Sequence, residues 1–181
     1  MTTIGLFGGT FDPPHLGHLA VAKAALWTGE VDAVYLLPCW KHAFGKEPVA
    51  FHHRVKMCVA MVFEERDIHV CADEGAVRST SSVEILRFLQ QENEGKSFRL
   101  ILGTDNYWKM DQWQNPKEVI AIAPPLWIER PGQSRIPEKA YPLNNTISST
   151  EVRTAISEGN KANHLLHTKV EKYIEQEGLY K

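Results

Sequence analysis

The sequence predicts an α/β fold: a doubly wound parallel sheet with helices on both faces. Two observations carry that prediction. Short apolar runs without polar alternation, suited to strands buried on both sides, alternate with stretches of helical periodicity. The residues with unusual chemistry follow the carboxyl ends of those runs, where open parallel sheets bind ligands. They are Gly8 after the first run, 38–46 after the second and 103–105 after a later one.

In order, Ile4-Gly5-Leu6-Phe7 reads as a first strand. A helix follows over 16–27, with Leu19, Ala22 and Leu26 on one face and Gly29 closing it. Residues 33–37 form a nearly all-apolar strand stopped by Pro38, and 39–50 a polar loop. A helix near 51–63 places Val55, Cys58, Val59 and Val62 at helical spacing, before a short strand at 68–71 and a helix at 82–91. Residues 98–102 give the clearest buried strand, ending at Gly103. A helix carrying Trp108 and Trp113 comes next, then a strand at 126–129. The proline-rich stretch 130–145 reads as a loop-like connection, and two helices, 149–157 and 168–177, close the chain.

The chain length of 181 residues suits one domain, 1–181, able to bury a proper core. A net charge of −2 argues against a general nucleic-acid binder, and no apolar run reaches membrane-spanning length. Cys39, Cys58 and Cys71 are scattered and odd in number, which suits a reducing compartment better than a disulfide framework. Met1-Thr2-Thr3 leads directly into the first strand, leaving no room for a signal peptide. The expectation is a soluble cytoplasmic protein; a homo-oligomer is left open.

The densest chemistry lies in Gly8-Gly9-Thr10-Phe11-Asp12-Pro13-Pro14-His15-Leu16-Gly17-His18-Leu19. Two glycines at a strand end let the backbone approach a bulky anion. His15 and His18, three apart, face one side of the first helical turn, which also offers N–H groups and a positive dipole end. A plain turn does not explain this combination, and a metal site would need further ligands that no nearby cluster supplies at a usual spacing. The stretch is neither a P-loop nor a G-x-G-x-x-G fingerprint. It suits a polyphosphate.

Ser148 with Glu151 reads first as a capping box. The hydroxyls of Ser148, Ser149 and Thr150 at a helix start, with Arg153 one turn on, also suit phosphate. Gly103 permits close approach at a strand end. Asp105 has the chemistry either to accept from ribose hydroxyls or to cap a helix, and Trp113 either to stack on a ring or to pack in the core.

The His15-Leu16-Gly17-His18 element resembles the H-x-G-H signature of the nucleotidyltransferase superfamily, and Ile147-Ser148-Ser149-Thr150-Glu151-Val152-Arg153 is similar to its I-S-S-T-x-x-R motif at every fixed position. Gly103-Thr104-Asp105…Trp113 resembles the G-x-D…W segment of the nicotinate/nicotinamide mononucleotide adenylyltransferase branch. So do Arg130-Pro131-Gly132 (its R-P-G turn), His53-Arg54-Val55-Lys56-Met57 (its H-R-V-x-M) and the tail Val170…Tyr173-Ile174…Gly178-Leu179-Tyr180, whose Val170, Tyr173 and Ile174 read as a core stripe. The chain departs from the bacterial branch at 39–46, which usually reads P-P-H-K, and at 80–84, where its tyrosine is missing.

The resemblance implies a Rossmann-like sheet of nucleotidyltransferase type and an adenylyltransferase of NAD biosynthesis. There the phosphate of a pyridine mononucleotide attacks the α-phosphate of ATP and pyrophosphate leaves. It implies His18 and His15 as catalytic, and Gly8, Gly9, Thr10, Phe11, His15, His18, Gly103, Asp105, Arg130, Ser148, Ser149, Thr150 and Arg153 as binding ATP. Ser82, Trp113 and one of Lys41 and Lys46 fall to the mononucleotide, with Mg²⁺ carried by the ATP phosphates rather than by protein ligands. The alternatives are a transferase of the same fold acting on another phosphate acceptor, or a non-catalytic nucleotide-binding module.

Overall fold

The computed structural model describes residues 2–40, 47–77, 79, 81–129, 131 and 139–181. Six parallel strands, β1 (Thr3–Gly9), β2 (Ala33–Pro38), β3 (Ile68–Val70), β4 (Ser97–Gly103), β5 (Pro125–Ile128) and β6 (Ala140–Tyr141), lie in the order β3-β2-β1-β4-β5-β6. The order reverses between β1 and β4, so the carboxyl ends of these two strands flank the switch point of the sheet.

Helices cover both faces. On one, α1 (Leu16–Trp27), α2 (Phe51–Val62), α6 (Ser149–Ser157) and α7 (Thr168–Glu177) bury Leu19, Ala22, Met57, Val152, Val170 and Ile174 against Val34, Leu36, Ile101 and Ile128. On the other, α4 (Ser82–Glu92) and α5 (Pro116–Ile122) bury Val83, Leu86, Leu89 and Val119 against Ile4, Leu6 and Phe98. The central strands are thus apolar on both sides, which is why their sequences show no alternation.

Four expectations need correction. Trp113 does not lie on a helix: Thr104–Gln112 forms a 3₁₀ segment, Trp113 caps it, and a separate α5 begins at Pro116. Pro116 at a first helical position was the available signal. The stretch 130–145 is not all connection, because it contains β6. Two residues are too short to show periodicity; β6 is fixed instead by Lys139 Nζ, 2.6 Å from Glu30, and by Tyr141 Oη donating to the same carboxylate. The short α3 (Asp73–Val77) was not expected. Finally, the α2 stripe is rotated. Arg54, Met57, Cys58, Met61 and Val62 are buried while Val59 is exposed, because the two methionines compete successfully for the core face.

Cys58 and Cys71 are buried and Cys39 is partly so. Among the described residues no helix is long and apolar enough to cross a membrane.

Candidate active site

The chain leaves β1 through Gly8 and Gly9, turns over Thr10–Pro14 and enters α1 at His15, its extended N-cap. At Gly8 an added Cβ would meet nothing within 4 Å, so the strand end opens directly onto a cleft. Phe11 adopts φ 50, an uncommon conformation for a bulky residue. Its ring, 1% exposed, packs into the core and edge-on to His18 with centroids 4.9 Å apart.

The two imidazoles stack with centroids 3.7 Å apart, and the main-chain N–H of His15 donates to His18 Nδ1 at 3.1 Å. With Nδ1 accepting, a neutral His18 carries its proton on Nε2. Gly17 makes the stack possible, since a Cβ there would stand 2.8 Å from His15 Nδ1 and 2.7 Å from Asn145 Nδ2. The glycine between the histidines is therefore a packing requirement as much as a helix residue.

The α6 start lies against this turn. Ser148 caps it by accepting from the Glu151 N–H at 3.2 Å. Ser149 Oγ donates to the Pro13 carbonyl at 2.9 Å, and Arg153 Nη1 to the Asp12 carbonyl at 2.6 Å. Segments more than 130 residues apart are thus bonded through main-chain carbonyls. Two clefts flank the junction. One of about 260 Å³ is lined by Gly8, Gly9, His15, His18, Gly103, Asp105, Glu129, Ser148 and Ser149 among others. A second of about 200 Å³ is lined by Thr10, Phe11, Asp12, His18, Pro48, Ser149, Thr150 and Arg153. His18 and Ser149 border both. The amino ends of α1 and α6 contribute positive potential here, which favours an anion.

The structure therefore brings together Gly8, Gly9, Thr10, Phe11, His15, His18, Gly103, Asp105, Ser148, Ser149, Thr150 and Arg153. It does not bring Ser82 or Trp113 to either cleft. Ser82 opens α4, and Trp113 is half-buried against the core beneath α4 and α5. Lys41, Lys46 and Arg130 lie outside the described residues.

Sequence reasoning missed three residues. Asp12 sits inside the motif it quoted, yet its carboxylate is a hub that accepts from Tyr180 Oη at 2.8 Å and from the Val49 N–H at 3.3 Å. Arg54 was read only as part of a spacing. It is 1% exposed and donates to the carbonyls of Thr10 at 2.9 Å, Val49 at 3.0 Å and Trp40 at 3.4 Å. Tyr180 falls in the tail segment but outside its apolar stripe of Val170, Tyr173 and Ile174. None of the three carried a decisive local signal: the buried face of α2 that marks Arg54 is itself set by packing, and Asp12 and Tyr180 meet partners far away in sequence.

The chain matches the cytidylyltransferase-like family over residues 6–155. It is 35% identical to the "Probable nicotinate-nucleotide adenylyltransferase" of Anaeromyxobacter dehalogenans (strain 2CP-1), over 98% of this chain and 96% of that protein. It is 31% identical to the protein of the same description from Halalkalibacterium halodurans, over 100% and 92%. Its fold is similar to that of Plasmodium falciparum nicotinic acid mononucleotide adenylyltransferase complexed with NaAD, with TM-score 0.82 and 22% identity over 99% of this chain and 98% of that one. From these matches and the geometry above, the chain belongs to the cytidylyltransferase-like family, among the nicotinate-nucleotide adenylyltransferases.

Proposed function

We propose that the protein joins nicotinate mononucleotide to the AMP part of ATP, as a step of NAD biosynthesis. The observation that carries the reading is the junction itself. The His18 turn and the Ser149 helix start, distant in sequence, border the same two anion-favouring clefts. The names of relatives at 31–35% identity over nearly the whole chain support the choice of substrates.

In the proposed reaction an oxygen of the mononucleotide phosphate attacks the α-phosphorus of ATP in line. A new P–O bond forms, the bond from the α-phosphorus to the bridging oxygen breaks, and pyrophosphate leaves with the electron pair. No covalent enzyme intermediate is needed, so positioning and charge stabilisation carry the catalysis. His18 Nε2 donates to the α-phosphate as charge develops there, and His15 holds that ring in place by stacking. Asp105 and Gly103 meet the nucleoside at the β4 end, while Ser149, Thr150 and Arg153 receive the departing pyrophosphate. Trp113 and Ser82 are assigned to the pyridine mononucleotide by the resemblance alone, since neither lines the two clefts.

ATP enters as its Mg²⁺ complex. Magnesium usually keeps phosphate and water oxygens as its ligands, so the cation is assigned to the ATP phosphates. Bound there, the cation would neutralise charge on the phosphate chain.

The test is pyrophosphate release from MgATP with a panel of acceptors. Release with nicotinate mononucleotide, faster than with the nicotinamide form, is the expected result. Release only with an acceptor lacking a pyridine would point to another transferase of the same fold, and none with any acceptor to a nucleotide-binding module.

A further inference from the structure

We propose that Tyr180 is a positioning residue for the phosphate chain: its hydroxyl holds the Asp12 carboxylate off Arg153, keeping that guanidinium for the ligand. This rests on the assignment of ATP to the site. After α7 the chain end folds back. Gly178 and Tyr180 both adopt φ 64, and Leu179 and Tyr180 pack against the α1/α2 core. That path delivers the Tyr180 hydroxyl to Asp12 Oδ1 at 2.8 Å, and the Val49 N–H reaches the same oxygen at 3.3 Å.

The consequence lies on the other carboxylate oxygen. Asp12 Oδ2 stands 3.8 Å from Arg153 Nη1, the outer limit of an ion pair, although the two residues are already joined at 2.6 Å through the Asp12 carbonyl. An arginine and a carboxylate this close ordinarily close into a short paired contact. Here both donors on Oδ1 restrain that rotation. Arg153, with its side chain 33% exposed, lines the smaller cleft with Thr150, to which Nη2 donates at 3.3 Å. A closed pair would cancel the positive charge that an anionic ligand uses. Burial and the neighbouring Asp12 carboxylate push the Tyr180 phenol above its ordinary value, so it stays a protonated donor at neutral pH.

Tyr180→Phe removes the hydroxyl and keeps the ring packing. Calorimetric titration with inorganic tripolyphosphate, which needs no turnover, is expected to show about tenfold weaker binding, as loss of a hydrogen bond to a charged group implies. The KM for ATP should rise about as much, with kcat and the KM for the mononucleotide within about twofold. Adding Asp12→Asn removes the competing charge and should return tripolyphosphate affinity to within about threefold of the parent. Unchanged affinity in Tyr180→Phe, equal loss of affinity for both substrates, or no recovery in the double variant would overturn the proposal. A parent protein inactive with every mononucleotide would sink the proposed reaction instead, and the tripolyphosphate titration would still decide this one.

Discussion

The phosphate side of the cleft and the acceptor side are built in different ways. On the phosphate side, His15, His18, Ser148, Ser149, Thr150 and Arg153 sit at two helix starts, and main-chain carbonyls tie these segments together: Ser149 to Pro13, Arg153 to Asp12. On the acceptor side, Ser82 opens a helix on the other face of the sheet and Trp113 caps a 3₁₀ segment. Arg54 joins the sides, gripping Thr10 on one and Trp40 and Val49 on the other. The contrast teaches that the groups proposed for the phosphates come from two short runs bonded to each other through main-chain carbonyls. Those proposed for the acceptor come from separate segments of the fold.

The largest test of that contrast is His18→Ala. Loss of a charge-stabilising donor should cut kcat by about 10²- to 10³-fold with the melting temperature nearly unchanged. A variant that turns over normally in the pyrophosphate assay would remove the phosphate side from the chemistry. Arg54→Met should act on stability instead. It strands three carbonyls around a buried site, and chemical denaturation is expected to show a loss of about 3 kcal/mol or more. A loss below about 1 kcal/mol would mean that the two sides are not pinned together there.

Gly17→Ala comes next. The new Cβ must push the His15 ring or Asn145 aside, so kcat should fall by about ten- to a hundred-fold with only a small change in stability. Normal turnover would show that the imidazole stack tolerates displacement. The smallest effect is expected on the acceptor side. Trp113→Leu should raise the mononucleotide KM by about five- to tenfold while the ATP KM stays put. If only stability changed, Trp113 would be a core residue and the acceptor side would lie elsewhere.

Much of this was legible from local pattern. The bounds of α1, α6 and α7 follow from helical periodicity and from cap residues such as Ser148, which the sequence states outright. The H-x-G-H turn and the Ser148–Arg153 segment are legible for the same reason: each is a short contiguous run whose chemistry is local. β6 and the rotated face of α2 were not legible. The first is held by Glu30 from far away in sequence, and the second depended on which of several apolar residues the core accepts.

By itself, then, the sequence determined the alternation of strands and helices and the identity of the groups proposed to handle phosphate. Both depend on neighbours within one or two helical turns. Only the tertiary structure decided that Asp12, Arg54 and Tyr180 belong to the same site. Their partners are 37, 44 and 168 residues away, and the fold alone sets which carboxylate, carbonyl or hydroxyl a side chain meets at that range.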